Sequence, residues 1–204
     1  MKKIFIATSN PGKLRDFAGA ALAHGVTIET LPGFESLPPV IEDGLTFAEN
    51  ARKKAAQYSR SAPAKVVLAD DSGLEVDALN GAPGVQSARY ASLESNNLTN
   101  SDDDANNARL LRELRDVPPA QRTGRFVCVL AAARNGENLA TFRGTVEGRL
   151  LDSPRGTHGF GYDPLFYFPP LRKTLAELTP VEKASVSHRG AAFREFLEWC
   201  DRNL

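Results

Sequence analysis

The sequence predicts an α/β domain that is built on a mixed β-sheet. Short apolar strand segments alternate with amphipathic helical segments, which favours parallel pairing of the strands. Later in the chain, two long strand segments lie on either side of Asn135-Gly136, a hairpin signature that favours antiparallel pairing. The length of 204 residues suits one domain, 1–204, or one domain with two lobes.

The first half of the chain contains the alternation of strands and helices. The expected strands are 3–8, 26–31, 65–69 and 74–79, and the expected helices are 14–24 and 46–59. The first helix follows a turn signal at 9–12 (SNPG), and the second opens with a capping-box pattern at 46–49 (TFAE). The third strand is expected to end at residues 70–73 (DDSG), which resemble a turn.

The second half combines a helix, the hairpin and a C-terminal helical region. A helix is expected at 101–114, because acidic residues near its start and arginines near its end match the helix dipole. The later strands are expected at 125–134, 139–151 and 165–168, with a glycine-rich loop at 154–164. Helix-start patterns at 174–177 and 179–182 precede a last helix, which begins near Ser187 and carries an apolar stripe through Phe193 and Cys200.

Composition and charge exclude several classes of function. The 25 basic and 25 acidic side chains give a formal net charge of zero, which argues against a general nucleic-acid binder. No apolar run approaches the roughly 20 residues of a membrane span, and residues 4–7 are too short for the apolar region of a signal peptide. Cys128 and Cys200 are too far apart for a CxxC metal site. We therefore expect a cytoplasmic enzyme or ligand-binding protein without a nucleic-acid or membrane partner.

The first candidate binding segment lies between the first strand and the first helix. It consists of Thr8, Ser9, Asn10, Pro11, Gly12 and Lys13. A strand-to-helix turn of this kind offers backbone N–H groups and a helix N-terminus to an anion, and Lys13 adds a positive charge. It is not a Walker A loop, because Leu14 follows the lysine. A plain strand-to-helix turn is the alternative interpretation.

Carboxylates in the next segments are candidates for metal binding or proton transfer. Asp71 is expected at the carboxyl end of a strand, where open α/β sheets bind ligands and where a carboxylate can hold Mg²⁺ or accept a proton from water. Adjacent side chains of a strand point to different sides, so only one of Asp70 and Asp71 needs to face the site. Helical spacing puts Asn50 and Lys54 on one face, so that Lys54 could reach the site beside Glu42. A simple turn and a solvated helix face are the alternatives.

Two later segments combine aromatic and cationic residues. The glycines around Phe160 would let this ring lie close to a flat ligand, and Asp163 could accept hydrogen bonds from that ligand. Taken alone, Phe160 is better interpreted as a core residue. Lys183 precedes the last helix, and His188 and Arg189 lie at its start. A cationic helix start is unfavourable unless an anion or a carboxylate compensates for it, and Arg189 can bind a phosphate or a carbonyl edge. The whole set suits a nucleoside triphosphate, and direct attack by water is the simplest chemistry.

Six short motifs occur in a fixed order along the chain. They are SNPGK at 9–13, GLTFAENA at 44–51, ADDSGL at 69–74, GAPG with SARY at 81–90, GFGYDP at 159–164 and SHRG at 187–190. Together they resemble the inosine triphosphate pyrophosphatase family, from residue 4 to beyond 190. Each motif alone is weak, but six in register are specific.

The resemblance implies Mg²⁺-dependent hydrolysis of ITP, dITP and XTP to the monophosphate and pyrophosphate. It also implies a two-lobed α/β fold around a long mixed sheet flanked by helices, an active-site cleft between the lobes, and a homodimer. In the family pattern the segment from Thr8 to Lys13 grips the triphosphate, Asp71 is general base and metal ligand, Glu42 is a second metal-side acid, and Ser72 contacts substrate.

The resemblance also assigns a set of residues to the base and the phosphates. These residues are Phe160, Gly161, Tyr162, Asp163, Lys183, His188 and Arg189. Lys54 is added from the helix geometry and from a basic residue of the family nearby. The expected mechanism is in-line attack of water on the α-phosphorus, with Lys13 and Lys54 neutralising the leaving pyrophosphate.

Two other functions are compatible with parts of this pattern. One is a pyrophosphatase of the related Maf type, which acts on other modified nucleotides. That type would have a basic, serine-rich segment where this chain has residues 9–13 (SNPGK), and no such segment is present there. The other is a nucleotide sensor that binds a triphosphate without hydrolysing it, which the retained Asp71 and Glu42 argue against.

Overall fold

The structure is a computed structural model that describes residues 2–22, 24–95 and 99–203. Within these residues the strands are β1 (Lys2–Ile6), β2 (Val26–Thr30), β3 (Val67–Val76), β4 (Thr123–Arg134), β5 (Glu137–Leu150), β6 (Phe166–Phe168) and β7 (Lys173–Thr174). The α-helices are α1 (Pro11–Leu22), α2 (Phe47–Ser59), α3 (Asp103–Glu113), α4 (Pro180–Val186) and α5 (His188–Asn203).

The seven strands of the described part of the chain form one sheet in the order β2-β1-β3-β4-β5-β6-β7. β1 pairs in parallel with β2 and β3, whereas β6 pairs antiparallel with β5 and β7. Neighbouring β4 and β5 are joined by Asn135-Gly136, where both residues have positive φ (53° and 88°), as a type I′ hairpin turn requires. The predicted α/β class and mixed sheet are therefore confirmed.

The predicted end of the third strand is wrong. β3 continues to Val76, so Asp70 and Asp71 lie inside the strand and not beyond its end. β3 lies between β1 and β4 in the sheet, and Gly73 also packs closely against the following loop, where a Cβ would lie 2.6 Å from the carbonyl oxygen of Gly84. Packing of this kind overrides the local turn preference of the Asp-Ser-Gly sequence.

The predicted start of the first helix is also wrong. α1 begins at Pro11, a residue type whose fixed φ suits the first helical position. Asn10 caps the helix, since its Oδ1 accepts hydrogen bonds from the backbone nitrogens of Gly12 at 2.8 Å and Lys13 at 3.1 Å. The turn signal at 9–12 is therefore the helix cap itself.

Contacts within the chain divide it into two compact units. The first comprises Met1–Ser72, Cys128–Thr145 and Ala184–Leu204, and the second comprises Gly73–Val127 and Val146–Lys183. In the first unit α1 packs on α5, with the rings of Phe17 and Phe193 6.2 Å apart, and the predicted stripe of the last helix is buried. In the second unit the rings of Phe126 and Phe166 lie 4.7 Å apart. Among the described residues, no helix combines the length and the apolar character that a membrane crossing requires.

Candidate active site

The turn between β1 and α1 is organised by its own side chains. Thr8 is buried, and its Oγ1 accepts a hydrogen bond from the backbone nitrogen of Asn10 at 3.2 Å. Ser9, Asn10 and Pro11 are exposed. The N–H groups of Asn10, Gly12 and Lys13 thus donate to side chains of this segment, which holds the turn in one conformation.

Asp70 joins this turn to the start of α5 within the first unit. Its Oδ2 lies 3.0 Å from Lys13 Nζ and 4.0 Å from Arg189 Nε, and it accepts a hydrogen bond from Ser72 Oγ at 2.9 Å. Burial alone would raise the pKa of Asp70, but the positive charges of Lys13, Arg189 and Lys54 lower it to about 2. Asp70 is therefore an ionised carboxylate at neutral pH and balances the cations around it.

Asp71, the next residue of β3, belongs to a different group of side chains. Its Oδ1 lies 3.2 Å from Lys54 Nζ, and its Oδ2 accepts a hydrogen bond from Asn50 Nδ2 at 3.1 Å. Lys54 Nζ also donates to Glu42 Oε2 at 2.7 Å. Asp71 and Lys54 are buried, whereas Glu42 is partly exposed. The structure thus brings together Glu42, Lys54 and Asp71.

The surroundings of Asp71 and Lys54 change their proton affinities. Burial raises the pKa of Asp71, and the negative charge of Glu42 adds to this effect, although Lys54 opposes it. Burial disfavours the charged form of Lys54, but the carboxylates of Asp71, Asp70 and Glu42 raise its pKa. Lys54 is therefore a buried ammonium, and Asp71 binds a proton more readily than an ordinary aspartate.

Glu42 and Asp71 are the carboxylates that fit a hard cation. Within the described ranges, no group of three or more His, Cys, Asp or Glu side chains is arranged to hold a metal ion. Mg²⁺, however, is commonly bound by only one or two carboxylates together with substrate phosphates and water. Glu42 and Asp71, which both contact Lys54 Nζ, supply the two carboxylates of such a site.

The first turn of α5 contains His188 and Arg189, which are both buried. Positive charge at this position opposes the helix dipole. Arg189 Nη1 donates to Asp16 Oδ2 at 3.1 Å, and Nη2 donates to Ser72 Oγ at 2.8 Å. Carboxylates of the chain itself, those of Asp16 and Asp70, therefore compensate for the cationic helix start.

In the second unit, the Asp163 carboxylate forms hydrogen bonds within the glycine-rich loop and with Lys183. Its Oδ2 accepts hydrogen bonds from the backbone nitrogen of Phe160 at 3.0 Å and from Lys183 Nζ at 2.7 Å. Lys183 Nζ also lies 5.0 Å from the centroid of the Phe160 ring, which is a cation–π arrangement. Gly159 has a φ of 77°, and a Cβ there would meet the Asp163 carboxylate. Phe160, Asp163 and Lys183 are thus one group.

Gly161 and Tyr162 fix this loop to the rest of the second unit. The backbone nitrogen of Gly161 donates to Asp103 Oδ2 at 2.6 Å, and its carbonyl oxygen accepts from Asn107 Nδ2 at 3.0 Å. The Tyr162 hydroxyl donates to the carbonyl oxygen of Ser87 at 2.9 Å, and the side chain is only 4% exposed. Tyr162 therefore supports the loop with a buried ring.

Three residues of these groups were not assigned to the site from the sequence. They are Asp16, Asn50 and Asp70. For Asn50 the sequence does contain a signal, because Asn50 lies one helical turn before Lys54 and therefore on the same helix face. The hydrogen bond between Asp16 and Arg189 joins residues 173 positions apart, which no local pattern reveals.

Comparison with known families identifies the chain. The model of the Ham1 family matches residues 4–199. The chain belongs to the Ham1 family. One relative of this Ham1 chain, from Geobacillus kaustophilus, is named dITP/XTP pyrophosphatase and is 50% identical over 198 residues, covering 97% of the chain and 94% of the relative. A relative of the same name from Acidobacterium capsulatum is also 50% identical over 198 residues, covering 95% of the chain and 96% of the relative.

A solved structure shows that the similarity extends to the fold. The Ham1 protein of Staphylococcus aureus is 38% identical to this Ham1 chain, with a TM-score of 0.82 and full coverage of both chains. The family resemblance inferred from the six motifs is therefore confirmed, and the α/β fold with a mixed sheet is the fold of Ham1 structures.

Proposed function

We propose that this chain is a nucleoside triphosphate pyrophosphatase that hydrolyses non-standard purine nucleoside triphosphates (ITP, dITP and XTP) to the monophosphate and pyrophosphate. Two relatives named dITP/XTP pyrophosphatase share half of their residues with it over nearly the full length, which supports the reaction and the substrates. This hydrolysis would remove such nucleotides from the pool.

The group formed by the buried Lys54 and Asp71 with the partly exposed Glu42 is the observation that carries the proposal. It combines a carboxylate of raised pKa with a buried ammonium and a second carboxylate that is partly exposed. A base of this kind can take a proton from water, and a fixed positive charge stabilises the negative charge that develops on a phosphate.

In the proposed reaction, water attacks the α-phosphorus in line with the departing pyrophosphate. The oxygen of water forms a bond to phosphorus, the bond to the bridging oxygen breaks, and Asp71 accepts the proton of the water. Without bound metal, burial raises the pKa of Asp71 above that of an ordinary aspartate. Lys54 and Lys13 neutralise charge on the pyrophosphate.

Mg²⁺ is the proposed cofactor, and Glu42 and Asp71 are the residues that would hold it. When bound, it supplies Lewis-acid stabilisation of phosphate charge. Each ionised carboxylate has about four lone-pair sites, so contact with Lys54 leaves acceptor capacity on both side chains.

The triphosphate is proposed to bind at the turn from Thr8 to Lys13. Ser9, Asn10 and Pro11 are exposed in this turn, and Asn10 holds its conformation. Lys13 shares its charge with Asp70 but has three N–H donors, so it can contact a phosphate as well. Ser72 is proposed to contact the substrate from β3.

Binding of the base and the phosphates is proposed for Phe160 to Asp163 and Lys183 in the second unit and for His188 and Arg189 in the first unit. Phe160 is half-buried and held by Asp163, so its ring is fixed for contact with a flat base. A 6-oxo group would accept a hydrogen bond from Arg189 or from a backbone N–H. An amino group there would place donor against donor, which costs about 1–3 kcal/mol for a buried group and discriminates against adenine.

The wider setting of the protein is also part of the proposal. We propose that residues 1–204 act as one pyrophosphatase domain, as a homodimer in the cytoplasm, without a nucleic-acid partner. Light scattering of the purified protein after size-exclusion chromatography measures the mass directly, and a monomer would overturn the homodimer.

The decisive experiment is chromatographic product analysis. The purified protein is incubated with Mg²⁺ and, separately, with ITP, XTP, GTP and ATP. IMP and XMP with pyrophosphate, and little product from ATP or GTP, would support both the reaction and the base selection. IDP with orthophosphate would place the cut at the γ-phosphate and overturn the mechanism.

Asp71→Asn is the matched variant for this assay. Its side chain is nearly isosteric but cannot accept a proton, so turnover of ITP should fall about 10²–10⁴-fold while the protein still folds. Turnover close to that of the unmodified chain would remove Asp71 from the mechanism. Binding of ITP without turnover by the unmodified chain would indicate a nucleotide sensor.

A further inference from the structure

We propose that Asn50 is a positioning residue that fixes Asp71 and the segment carrying Glu42 in one arrangement. The inference rests on the proposed function, because it concerns how the two carboxylates assigned to the metal and the water are held. Asn50 lies on α2, is 1% exposed and had no role assigned to it from the sequence.

Both ends of the Asn50 amide are engaged. Nδ2 donates to Asp71 Oδ2 at 3.1 Å, and Oδ1 accepts from the backbone nitrogen of Gly44 at 2.8 Å. Gly44 follows Glu42 by two residues in the chain. A single buried side chain therefore connects the carboxylate on β3 with the segment that carries the second carboxylate.

The segment and the helix are in close contact at this point. A Cβ at Gly44 would lie 2.6 Å from Asn50 Oδ1 and 2.8 Å from Glu49 Cβ, so only glycine allows this approach. The backbone nitrogen of Leu45 donates to Glu49 Oε2 at 2.7 Å, and the Thr46 capping box fixes the start of α2. Asn50 thus belongs to a rigid helix end and not to a mobile loop.

The amide also determines how the two oxygens of Asp71 are used. Because Asn50 binds Oδ2, the carboxylate plane is fixed and Oδ1 faces Lys54 Nζ at 3.2 Å. An alanine at position 50 would remove the partner of Asp71 Oδ2, with Lys54 still at Oδ1, and would release the Gly44 N–H. Hydrogen-bond partners of ligating carboxylates typically contribute 10–100-fold to metal affinity or activity.

The first test compares Asn50→Ala with Gln57→Ala. Gln57 is a suitable control because it lies on the same helix and its Nε2 donates to the carbonyl oxygen of Pro38 at 3.1 Å, so it anchors the same loop without touching Asp71. With ITP, Asn50→Ala should lower kcat about 10–100-fold with little change in KM, whereas Gln57→Ala should keep both. Equal kcat values for the two variants would overturn the proposal.

The second readout needs no turnover. Binding of Mn²⁺ to the nucleotide-free protein, followed by the electron paramagnetic resonance of free Mn²⁺, should weaken about 10–100-fold in Asn50→Ala and remain unchanged in Gln57→Ala. Unchanged Mn²⁺ binding in Asn50→Ala would contradict the inference. Because this measurement uses no nucleotide, it tests Asn50 even if the unmodified chain fails to hydrolyse ITP.

A third variant separates the two hydrogen bonds. Asn50→Asp retains an oxygen that can accept from the Gly44 N–H but replaces the donor that faces Asp71 with an acceptor. We expect it to lose at least as much kcat as Asn50→Ala. If Asn50→Asp keeps the unmodified kcat while Asn50→Ala loses it, Asn50 only anchors the loop and does not position Asp71.

Discussion

Replacing Asp70 by asparagine tests whether this buried carboxylate stabilises the fold through its charge. Asp70 is 2% exposed and lies 3.0 Å from Lys13 Nζ and 4.0 Å from Arg189 Nε. Asparagine has nearly the same shape as protonated aspartate. The variant therefore removes the negative charge while keeping the packing of β3.

The expected loss of stability follows from the pKa of Asp70, which is lowered from its usual 3.8 to about 2 by Lys13, Arg189 and Lys54 against the effect of burial. At about 1.4 kcal/mol per pH unit, this difference corresponds to a folding free energy on the order of 2 kcal/mol at pH 7. Because the folded-state pKa is the lower one, the contribution is complete above about pH 4 and is lost as the pH falls through about 2. About half of it remains at pH 3.

Urea unfolding in the presence of EDTA, at pH 7 and at pH 3, measures this contribution without bound metal. Asp70→Asn should unfold with a free energy on the order of 2 kcal/mol lower at pH 7, and the difference should be about half as large at pH 3. Asp43→Asn is the control, because Asp43 is exposed and pairs with Lys53 at the surface, where such pairs contribute little. An equal free energy of unfolding for Asp70→Asn at pH 7, or a difference that does not shrink at pH 3, would refute the reasoning.

Two further predictions concern recognition of the base. Arg189→Lys keeps a positive charge beside Asp16 but loses the planar guanidinium group. The ratio of kcat/KM for ITP to kcat/KM for ATP should therefore fall about tenfold. An unchanged ratio would count against recognition of the base by Arg189. Gly159→Ala introduces a Cβ against the Asp163 carboxylate at a φ of 77°, so urea unfolding should show a loss of about 1–3 kcal/mol, with a raised KM for ITP. An unchanged KM would mean that the arrangement around Asp163 does not matter for substrate binding.

The order of strands and helices could be predicted because it rests on local signals. Apolar runs mark the strands, the Asn135-Gly136 pair marks the hairpin, and the Thr46 capping box marks the start of α2. The end of β3 could not be predicted, because the Asp-Ser-Gly sequence favours a turn locally. β3 lies between β1 and β4 in the sheet, and Gly73 also approaches the backbone of Gly84; neither contact is local.

The candidate site shows the same division between local and distant contacts. The spacing of Asn50 and Lys54 placed both on one helix face but did not decide between a solvated face and a site. The contacts of Lys54 with Glu42 and Asp71 show that its end of this face is buried. The sequence indicates that a negative charge must compensate for the cationic start of α5, but it does not show which residue supplies that charge. Its partner Asp16 lies on α1, at the other end of the chain.

The two neighbouring aspartates of β3 differ because alternate residues of a strand face opposite sides. Asp70 meets Lys13 and Arg189, and these charges hold its pKa at about 2 despite burial. Asp71 pairs with Lys54, which it shares with Glu42. Burial prevails over the charges of Lys54 and Lys13 and raises the pKa of Asp71. Where environments push the pKa values of two carboxyl groups apart, the group of higher pKa is the better base. This difference, and not the sequence of the pair, is what favours Asp71 as the proton acceptor and leaves Asp70 as the fixed counter-charge.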